Sequence, residues 1–149
     1  MTFARTRASR RTAAAVLTLA VLVIGFAGTG CNTKEQAVRS LILVNQERAR
    51  QGVPPLYWND EAAAKAEAWA AKLAAEGGLE HSQLENGIAT EWRYLGENVG
   101  FGSNVDRVHR SFMRSGSHRS TLLSGKYREM GVGVAYGDGV VYITQVFRG

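Results

Sequence analysis

The final twenty residues of the chain impose the tightest structural constraint, because strict alternation replaces helical spacing there. Glycine or alanine alternates with larger side chains over residues 130–136, and residues 140–147 are rich in β-branched and aromatic types. Gly137-Asp138-Gly139 separates the two stretches, which predicts a β-hairpin. Because glycine has no side chain, Gly131 and Gly133 would let a helix or another backbone pack very close to one face of the sheet.

Two helices are predicted before this hairpin. The first covers Lys34 to Gln51 and ends where Gly52 and Pro54-Pro55 cannot continue it. The second follows Asn59, which can cap it, and ends at Gly77-Gly78. Its predicted buried stripe consists of Ala62, Ala66, Trp69 and Leu73. Helices followed by a hairpin favour a mixed α+β fold.

The region between the second helix and the hairpin is less regular. Residues 79–103 contain several glycines and many polar residues without a sustained period, so at most short strands are predicted there. Asn104 is predicted to cap a third helix, and a short helical turn is expected over residues 118–123. The inward face of the third helix is predicted to consist of Val105, Val108 and Phe112. His109 lies on a charged face of the same helix and is predicted to be solvated.

Residues 1–30 have the composition of an export signal. They contain four arginines and no acidic residue, and an apolar run extends from Ala13 to Ala27. A membrane-spanning helix needs about 20 residues, so this shorter run predicts a signal peptide that is removed. Without the four arginines, fourteen basic and thirteen acidic residues remain in the chain. Such a balance argues against nucleic acid as a partner.

The only cysteine, Cys31, stands directly after this segment. A lipid-modified first residue of the mature chain would explain an odd thiol in an exported protein. The small residues before Cys31 resemble a bacterial lipoprotein cleavage site, although Gly28 stands where an aliphatic residue is usual. We therefore expect a protein of the cell envelope held at the membrane by a lipid on Cys31, with a soluble secreted form as the alternative. Residues 31–36 are predicted to form a short linker and residues 37–149 a single domain.

Three residues outside the predicted core, His81, Glu97 and His118, are candidates for chemistry. Imidazole can accept a proton, donate one or bind a metal near neutral pH, so two histidines beside a carboxylate would form a ligating or reactive cluster. Glu97 has a second interpretation, because a carboxylate between glycines can accept backbone N–H bonds and hold a loop. The sequence contains no His-Glu-x-x-His and no Gly-x-Ser-x-Gly motif, which argues against the hydrolases that carry them.

The short phrases around these residues follow one another in a particular order. They are Leu43-Val44-Asn45-Gln46-Glu47-Arg48, Pro55-Leu56-Tyr57-Trp58, His81-Ser82, Gly96-Glu97-Asn98, Phe112-Met113 through His118-Arg119, Gly131-Val132-Gly133, and Tyr142 through Phe147. Together, over about residues 37–147, they resemble the CAP superfamily, the cysteine-rich secretory, antigen 5 and pathogenesis-related-1 group, in its short bacterial secreted form. The resemblance implies a three-layered α-β-α sandwich with a central antiparallel sheet. It also implies a cleft lined by His81, Glu97 and His118.

The chain departs from that family pattern in three places. Larger members carry a second cleft glutamate between Glu97 and the second histidine, whereas the acidic residue of that interval here, Asp106, lies too early to match it. Bacterial relatives usually have Ser-Pro-Gly just before that histidine, where this chain has Ser115-Gly116-Ser117, so a looser hold on His118 is expected. With one cysteine the chain also lacks the family's disulfides, so packing alone must hold the cleft.

These features leave three interpretations of function. The leading one is a non-enzymatic envelope protein whose cleft binds a small apolar ligand or a divalent metal such as zinc. In that case His81 and His118 would be ligands, and Glu97 a third ligand or an orienting partner. The second is a hydrolase in which a histidine acts as general base or a metal activates water. The third is a structural or partner-binding module with a vestigial cleft, and the sequence does not choose among the three.

Overall fold

The computed structural model describes the backbone of residues 29–149 and the side chains from residue 32 onward. Nearly all of the predicted signal peptide, residues 1–30, and the side chain of Cys31 therefore lie outside the described residues. Signal cleavage and lipid attachment stay predictions. Within the described part of the chain, no helix is both long and apolar enough to cross a membrane.

Residues 29–149 contain four helices and four strands. In chain order they are α1 (Thr29–Arg50), β1 (Tyr57–Trp58), α2 (Asp60–Glu76), β2 (Leu95–Gly102), α3 (Val105–Arg114), α4 (Gly116–Leu122), β3 (Glu129–Gly137) and β4 (Val140–Arg148). The strands form one sheet in the order β1-β3-β4-β2. β4 pairs antiparallel with both β3 and β2, whereas the two-residue β1 runs parallel to β3. The predicted α+β class with a central, mainly antiparallel sheet is confirmed.

The helices cover both faces of the sheet. α2 packs along β3 and β4, while α1 contacts β3, and α3 and α4 contact β2. Side chains alternate between the two faces, so that Val132 joins the core beneath α1 and α3, whereas Val146 packs with Ala62 and Ala66 of α2. The predicted three-layered sandwich is confirmed.

The glycines of β3 determine how closely α2 approaches the sheet. A Cβ atom added to Gly131 would lie 1.9 Å from the backbone nitrogen of Ala63, and one added to Gly133 would lie 2.1 Å from the carbonyl carbon of Ala66. Both distances are far below van der Waals contact, so the helix and strand backbones touch directly. The predicted close approach of a helix to this glycine row is confirmed.

Several predicted element ends are also confirmed. The side chain of Asn59 accepts a hydrogen bond from the backbone N–H of Ala62 at the start of α2, and Gly77 ends that helix with a φ of 68°. Asn104 caps α3 in the same way. The hairpin turns at Asp138-Gly139, whose φ angles of 50° and 75° are those of a type I′ turn.

Two boundaries differ from the prediction. α1 begins at Thr29 rather than Lys34, so residues 31–36, predicted as a linker, are helical. β2 is an eight-residue strand in a region predicted to hold short strands at most. Glycines conceal this strand in the sequence: a Cβ atom on Gly100 would lie 2.7 Å from the ring of Phe112, so the position that packs against α3 carries no apolar side chain.

His109 is buried, and the prediction that it is solvated is wrong. Its exposed fraction is 6%, and both ring nitrogens lack a hydrogen-bond partner among the described residues. The buried residues of α3 are Val105, Val108, His109 and Phe112. They follow the i, i+3, i+4, i+7 spacing of one helix face, so the position of His109 on that face outweighs the charge of its neighbours.

Candidate functional site

Glu97 is the buried carboxylate of the site. It lies on β2, and its side chain is 1% exposed. Its Oε1 accepts a hydrogen bond from the backbone N–H of Ser82 and lies 2.8 Å from Nδ1 of His81. Its Oε2 is buried and has no hydrogen-bond partner within the described residues. These contacts tie the loop of His81 to the sheet, although Glu97 lies on a strand and not in a glycine-bounded turn.

Two side chains of α2 hold the same loop from the other side. The Nζ of Lys65 donates to the backbone carbonyls of Gln83 and Asn86, at 2.8 Å and 2.6 Å. The indole Nε1 of Trp69 donates to the carbonyl of Glu80 at 2.9 Å. Burial lowers the pKa of Lys65, and the charge of Glu97 opposes that shift. The loop around His81 is thus fixed although it has no regular secondary structure.

His118 lies on α4 and is held by its own helix start. Its Nδ1 lies 2.8 Å from Oγ of Ser115, and its ring packs on Phe112 with 4.9 Å between the ring centroids. The side-chain amide of Asn98 on β2 donates to the carbonyl of His118 at 3.3 Å. Ser115 therefore supplies a contact to the imidazole where the family's proline is missing.

The structure brings His81 and Glu97 into contact and places His118 within electrostatic range of His81. Burial lowers the pKa of His118, and the charge of His81 lowers it further. β2 is an outer strand of the sheet, so groups on its two faces can approach each other around its edge. Among the described side chains of residues 32–149, no three from His, Cys, Asp or Glu lie close enough together to hold a metal ion.

An open cleft of about 710 Å³ lies beside His81. Its walls come from α2 and from the loop that follows this helix, and they include Lys65, Ala68, Trp69, His81 and Asn86. Glu97 lies behind this wall, since it is buried. The cleft therefore presents the imidazole of His81, whose side chain is 61% exposed, and hides the carboxylate that orients it.

The imidazole–carboxylate pair has a definite chemical consequence. When Nδ1–H of neutral His81 donates to Glu97, Nε2 carries the lone pair. In the same way, Nδ1 of His118 is engaged by Ser115, and neither Nε2 has a hydrogen-bond partner among the described residues. Two imidazoles with engaged Nδ1 atoms can each accept a proton or bind a cation through Nε2.

Lys65 and Ser115 belong to the site, and the sequence analysis does not identify them. Lys65 lies one helical turn before Trp69, so the two side chains share a face of α2. This spacing does not distinguish a face that holds a loop from a face that is exposed to solvent. Ser115 stands three residues before His118 at the start of α4, the spacing of a capping residue. Its hydroxyl makes no capping bond and contacts the imidazole instead.

Comparison with solved structures identifies proteins that share this fold. It is similar to an outer surface protein from Borrelia burgdorferi, with a TM-score of 0.70 and 17% identity, covering 77% of this chain and 92% of that one. It is similar to a cysteine-rich secretory protein from Staphylococcus aureus, with a TM-score of 0.67 and 26% identity, covering 78% of this chain but 38% of that one. A third similar structure is NaASP2 with Zn²⁺, with a TM-score of 0.58 and 13% identity, covering 77% of this chain and 80% of that one. No curated protein matches the sequence.

The fold is thus a helix–sheet–helix sandwich in which Glu97 on an outer strand contacts His81 in the preceding loop. Residues 41–147 match the model of the family described as the cysteine-rich secretory protein family. That match covers more than half of the chain, and the chain belongs to the CAP family. The resemblance proposed from the ordered phrases is confirmed.

Proposed function

We propose that this CAP domain is an exported envelope protein that binds a divalent metal ion, zinc in the first instance, through Nε2 of His81 and of His118. The observation that carries the proposal is the engagement of both Nδ1 atoms, by Glu97 and by Ser115. Hydrogen bonds of this kind orient imidazoles that ligate metals. The similar protein NaASP2, whose structure contains Zn²⁺, supports the same class of ion.

The donor set fits two nitrogen ligands, with Glu97 orienting His81 and Ser115 contacting His118. Oε1 of Glu97 is already engaged by His81 and Ser82, and the described residues offer no group of three ligands. Because closed zinc sites have four protein ligands and catalytic ones three, we expect weaker binding here than in either. A bound cation would supply positive charge at the cleft, where it could hold an anionic group of a ligand.

The protonation of His118 favours this role. Only a neutral imidazole binds a metal, and burial lowers the pKa of His118 below its ordinary value. The ring therefore stays available at neutral pH and loses its lone pair only as the pH falls through that lowered pKa. We expect zinc affinity to fall as the pH decreases from about 6.5, the ordinary histidine pKa, toward the lowered pKa of His118.

Titration calorimetry with zinc chloride tests the proposal. His81→Ala and His118→Ala should each reduce the affinity at pH 7.5 by well over ten-fold, since each leaves a single nitrogen ligand. Glu97→Gln should reduce it by about 10 to 100-fold, the usual cost of losing an orienting partner. Gln83→Ala, which changes the same cleft wall without touching an imidazole, is the matched control and should bind zinc as the unaltered protein does.

The result that would overturn the proposal is zinc binding that survives both histidine substitutions in folded protein. Circular dichroism should accompany each titration, because Glu97 is buried. An absence of zinc binding at pH 7.5 would equally exclude the site.

We also propose that a lipid on Cys31 anchors the protein to the membrane. Cys31 lies within the range of α1, Thr29–Arg50, so the anchor would join the folded domain directly through this helix. Cys31→Ser should release the folded domain from the membrane fraction or leave it uncleaved, as measured by fractionation and mass spectrometry. An unaltered chain that is wholly soluble, with an unmodified thiol, would contradict the anchor.

A further inference from the structure

A second groove lies at the end of the sheet where β3 starts and β4 ends. Its volume is about 730 Å³, and its walls include Glu91, Trp92, Arg93, Arg128 and Arg148. Three segments far apart in the sequence form it: the loop before β2, the start of β3 and the end of β4. None of its lining residues lines the His81 cleft, so the two sites are separate.

The loop that forms one wall of this groove is held in place. The carboxylate of Glu61 on α2 accepts hydrogen bonds from Ala89 N–H and from the backbone and hydroxyl of Thr90. The guanidinium of Arg148 donates to the carbonyl of Glu91 at 2.6 Å. The backbone N–H of Arg93 donates to the carbonyl of Gly149 at 2.7 Å. A wall fixed in this way is organised before a ligand arrives, which lowers the cost of binding.

The arginines of the groove do not all have the same role. Arg148 is committed to the scaffold, with Glu61 and Glu129 at 3.6 Å and 3.5 Å. The guanidinium of Arg128 donates to backbone carbonyls only, and Arg93 has no side-chain partner among the described residues. Glu91 and Glu129 also line the groove, but neither Arg93 nor Arg128 forms an ion pair with a carboxylate among the described residues.

Trp92 adds an apolar surface next to these charges. It is 40% exposed, although a large aromatic side chain is usually sheltered. A sugar ring has a face of C–H bonds that packs well against an indole, because the electropositive hydrogens meet the negative face of the ring. The guanidinium fork matches a carboxylate or a phosphate with two parallel hydrogen bonds, and Glu91 can accept from sugar hydroxyls.

We propose that this groove binds an acidic saccharide. Its sugar ring stacks on Trp92, its carboxylate or phosphate pairs with Arg93 and Arg128, and its hydroxyls donate to Glu91. This assignment goes beyond the metal site and does not depend on it, since no residue of the His81 cleft takes part.

Calorimetry with three probes tests the proposal and identifies the anion: a galacturonate tetramer, a hexose 6-phosphate and a neutral glucose tetramer. We expect the galacturonate tetramer or the hexose phosphate to bind and the neutral tetramer to bind at least ten-fold more weakly. Arg93→Gln and Arg128→Gln should each reduce the affinity for the acidic probe by about ten-fold, the usual effect of losing a charged hydrogen bond. Trp92→Ala should reduce it similarly, and Trp92→Phe should restore part of the loss.

The controls are matched to the chemistry of each change. Tyr136→Ala removes an aromatic ring that is 53% exposed at the other end of the sheet, and Arg107→Gln removes an exposed arginine of α3. Neither should alter binding, and His81→Ala should leave it unchanged too. Equal affinity for the neutral tetramer, no binding of either acidic probe, or binding that is indifferent to Trp92 and both arginines would overturn the proposal.

Discussion

The two faces of the sheet differ in the size of the residues that pack against the helices. Toward α2, the contact is made by glycine and alanine, and the strand backbone at Gly131 and Gly133 touches the helix backbone. Toward α1, α3 and α4, large side chains fill the space, and polar groups are buried among them. The buried polar residues on this second side are Ser40, Arg48, Asn98, His109 and Gln145.

Each half of the core is therefore vulnerable to a different kind of substitution. The α2 face has no room for an added atom, whereas the other face depends on hydrogen bonds to groups that water cannot reach. The candidate site draws on both, since His81 is held by the α2 side and His118 by α4. Substitutions that add volume should therefore damage one face, and substitutions that remove polar partners should damage the other.

The largest effect is expected from Gly131→Ala. The new methyl group would overlap the backbone nitrogen of Ala63, and a backbone cannot move aside as a flexible side chain can. We expect the free energy of unfolding to fall by about 3 kcal/mol, at the upper end for overpacking. Urea denaturation measures it, with Gly125→Ala as the matched control because nothing lies within 4 Å of a Cβ atom there. Equal midpoints for the two variants would show that α2 does not rest on the strand backbone.

On the opposite face, Arg48→Met should cost about 2 kcal/mol because it removes hydrogen bonds without adding volume. Arg48 is fully buried, and its guanidinium donates to the carbonyls of Pro54, Leu122 and Ser124 at 2.8 to 2.9 Å. Arg50→Met is the control, since its side chain is 65% exposed on the same helix turn. Thermal unfolding should give a clearly lower melting temperature for Arg48→Met than for Arg50→Met. Similar melting temperatures would show that the hydrogen bonds of Arg48 do not stabilise this face.

The sequence predicts one face of the sheet better than the other, for a physical reason. Helix α2, its cap at Asn59 and the glycine row of β3 are local patterns, and each is confirmed. The strand β2 is missed because glycine, asparagine and glutamate interrupt the apolar alternation that marks a strand. Arg48 shows the same limit, because an arginine in the last turn of a helix looks favourable for the helix dipole whether it is exposed or buried.

Only the part of the candidate site that lies in the ordered family phrases can be predicted from the sequence. The family phrases identify His81, Glu97 and His118, and the contact between the first two is 2.8 Å. Lys65 contacts the loop of His81 only because α2 and that loop meet in the folded protein. Ser115 contacts the His118 ring in place of the capping bond that its position predicts. Such contacts leave no periodic signal in the sequence.

The smallest and most specific effect is expected at His109, where the polar face carries a group without partners. Both of its ring nitrogens are buried and unpartnered within the described residues. Burial lowers its pKa, opposed by Glu47 of α1 and Asp106 of α3 and assisted by Arg110 and Arg50. That shift makes the unfolded chain bind a proton more readily than the folded one. The stability conferred by neutral His109 is therefore complete above the unfolded pKa and decreases as the pH falls through about 6.5 toward the lowered value.

His109→Leu removes both the unpaired nitrogens and this proton linkage. We expect the free energy of unfolding at pH 7 to rise by about 1 kcal/mol. Between pH 7 and pH 5 the variant should lose less stability than the unaltered protein. His118, whose pKa is also lowered, keeps a residual slope of the same sign in both proteins. Urea denaturation at half-unit pH steps measures the two slopes, and their difference cancels any effect of helix propensity, which does not depend on pH. Identical slopes would mean that His109 finds a proton acceptor in solution, and the polar face would then be better satisfied than its contacts indicate.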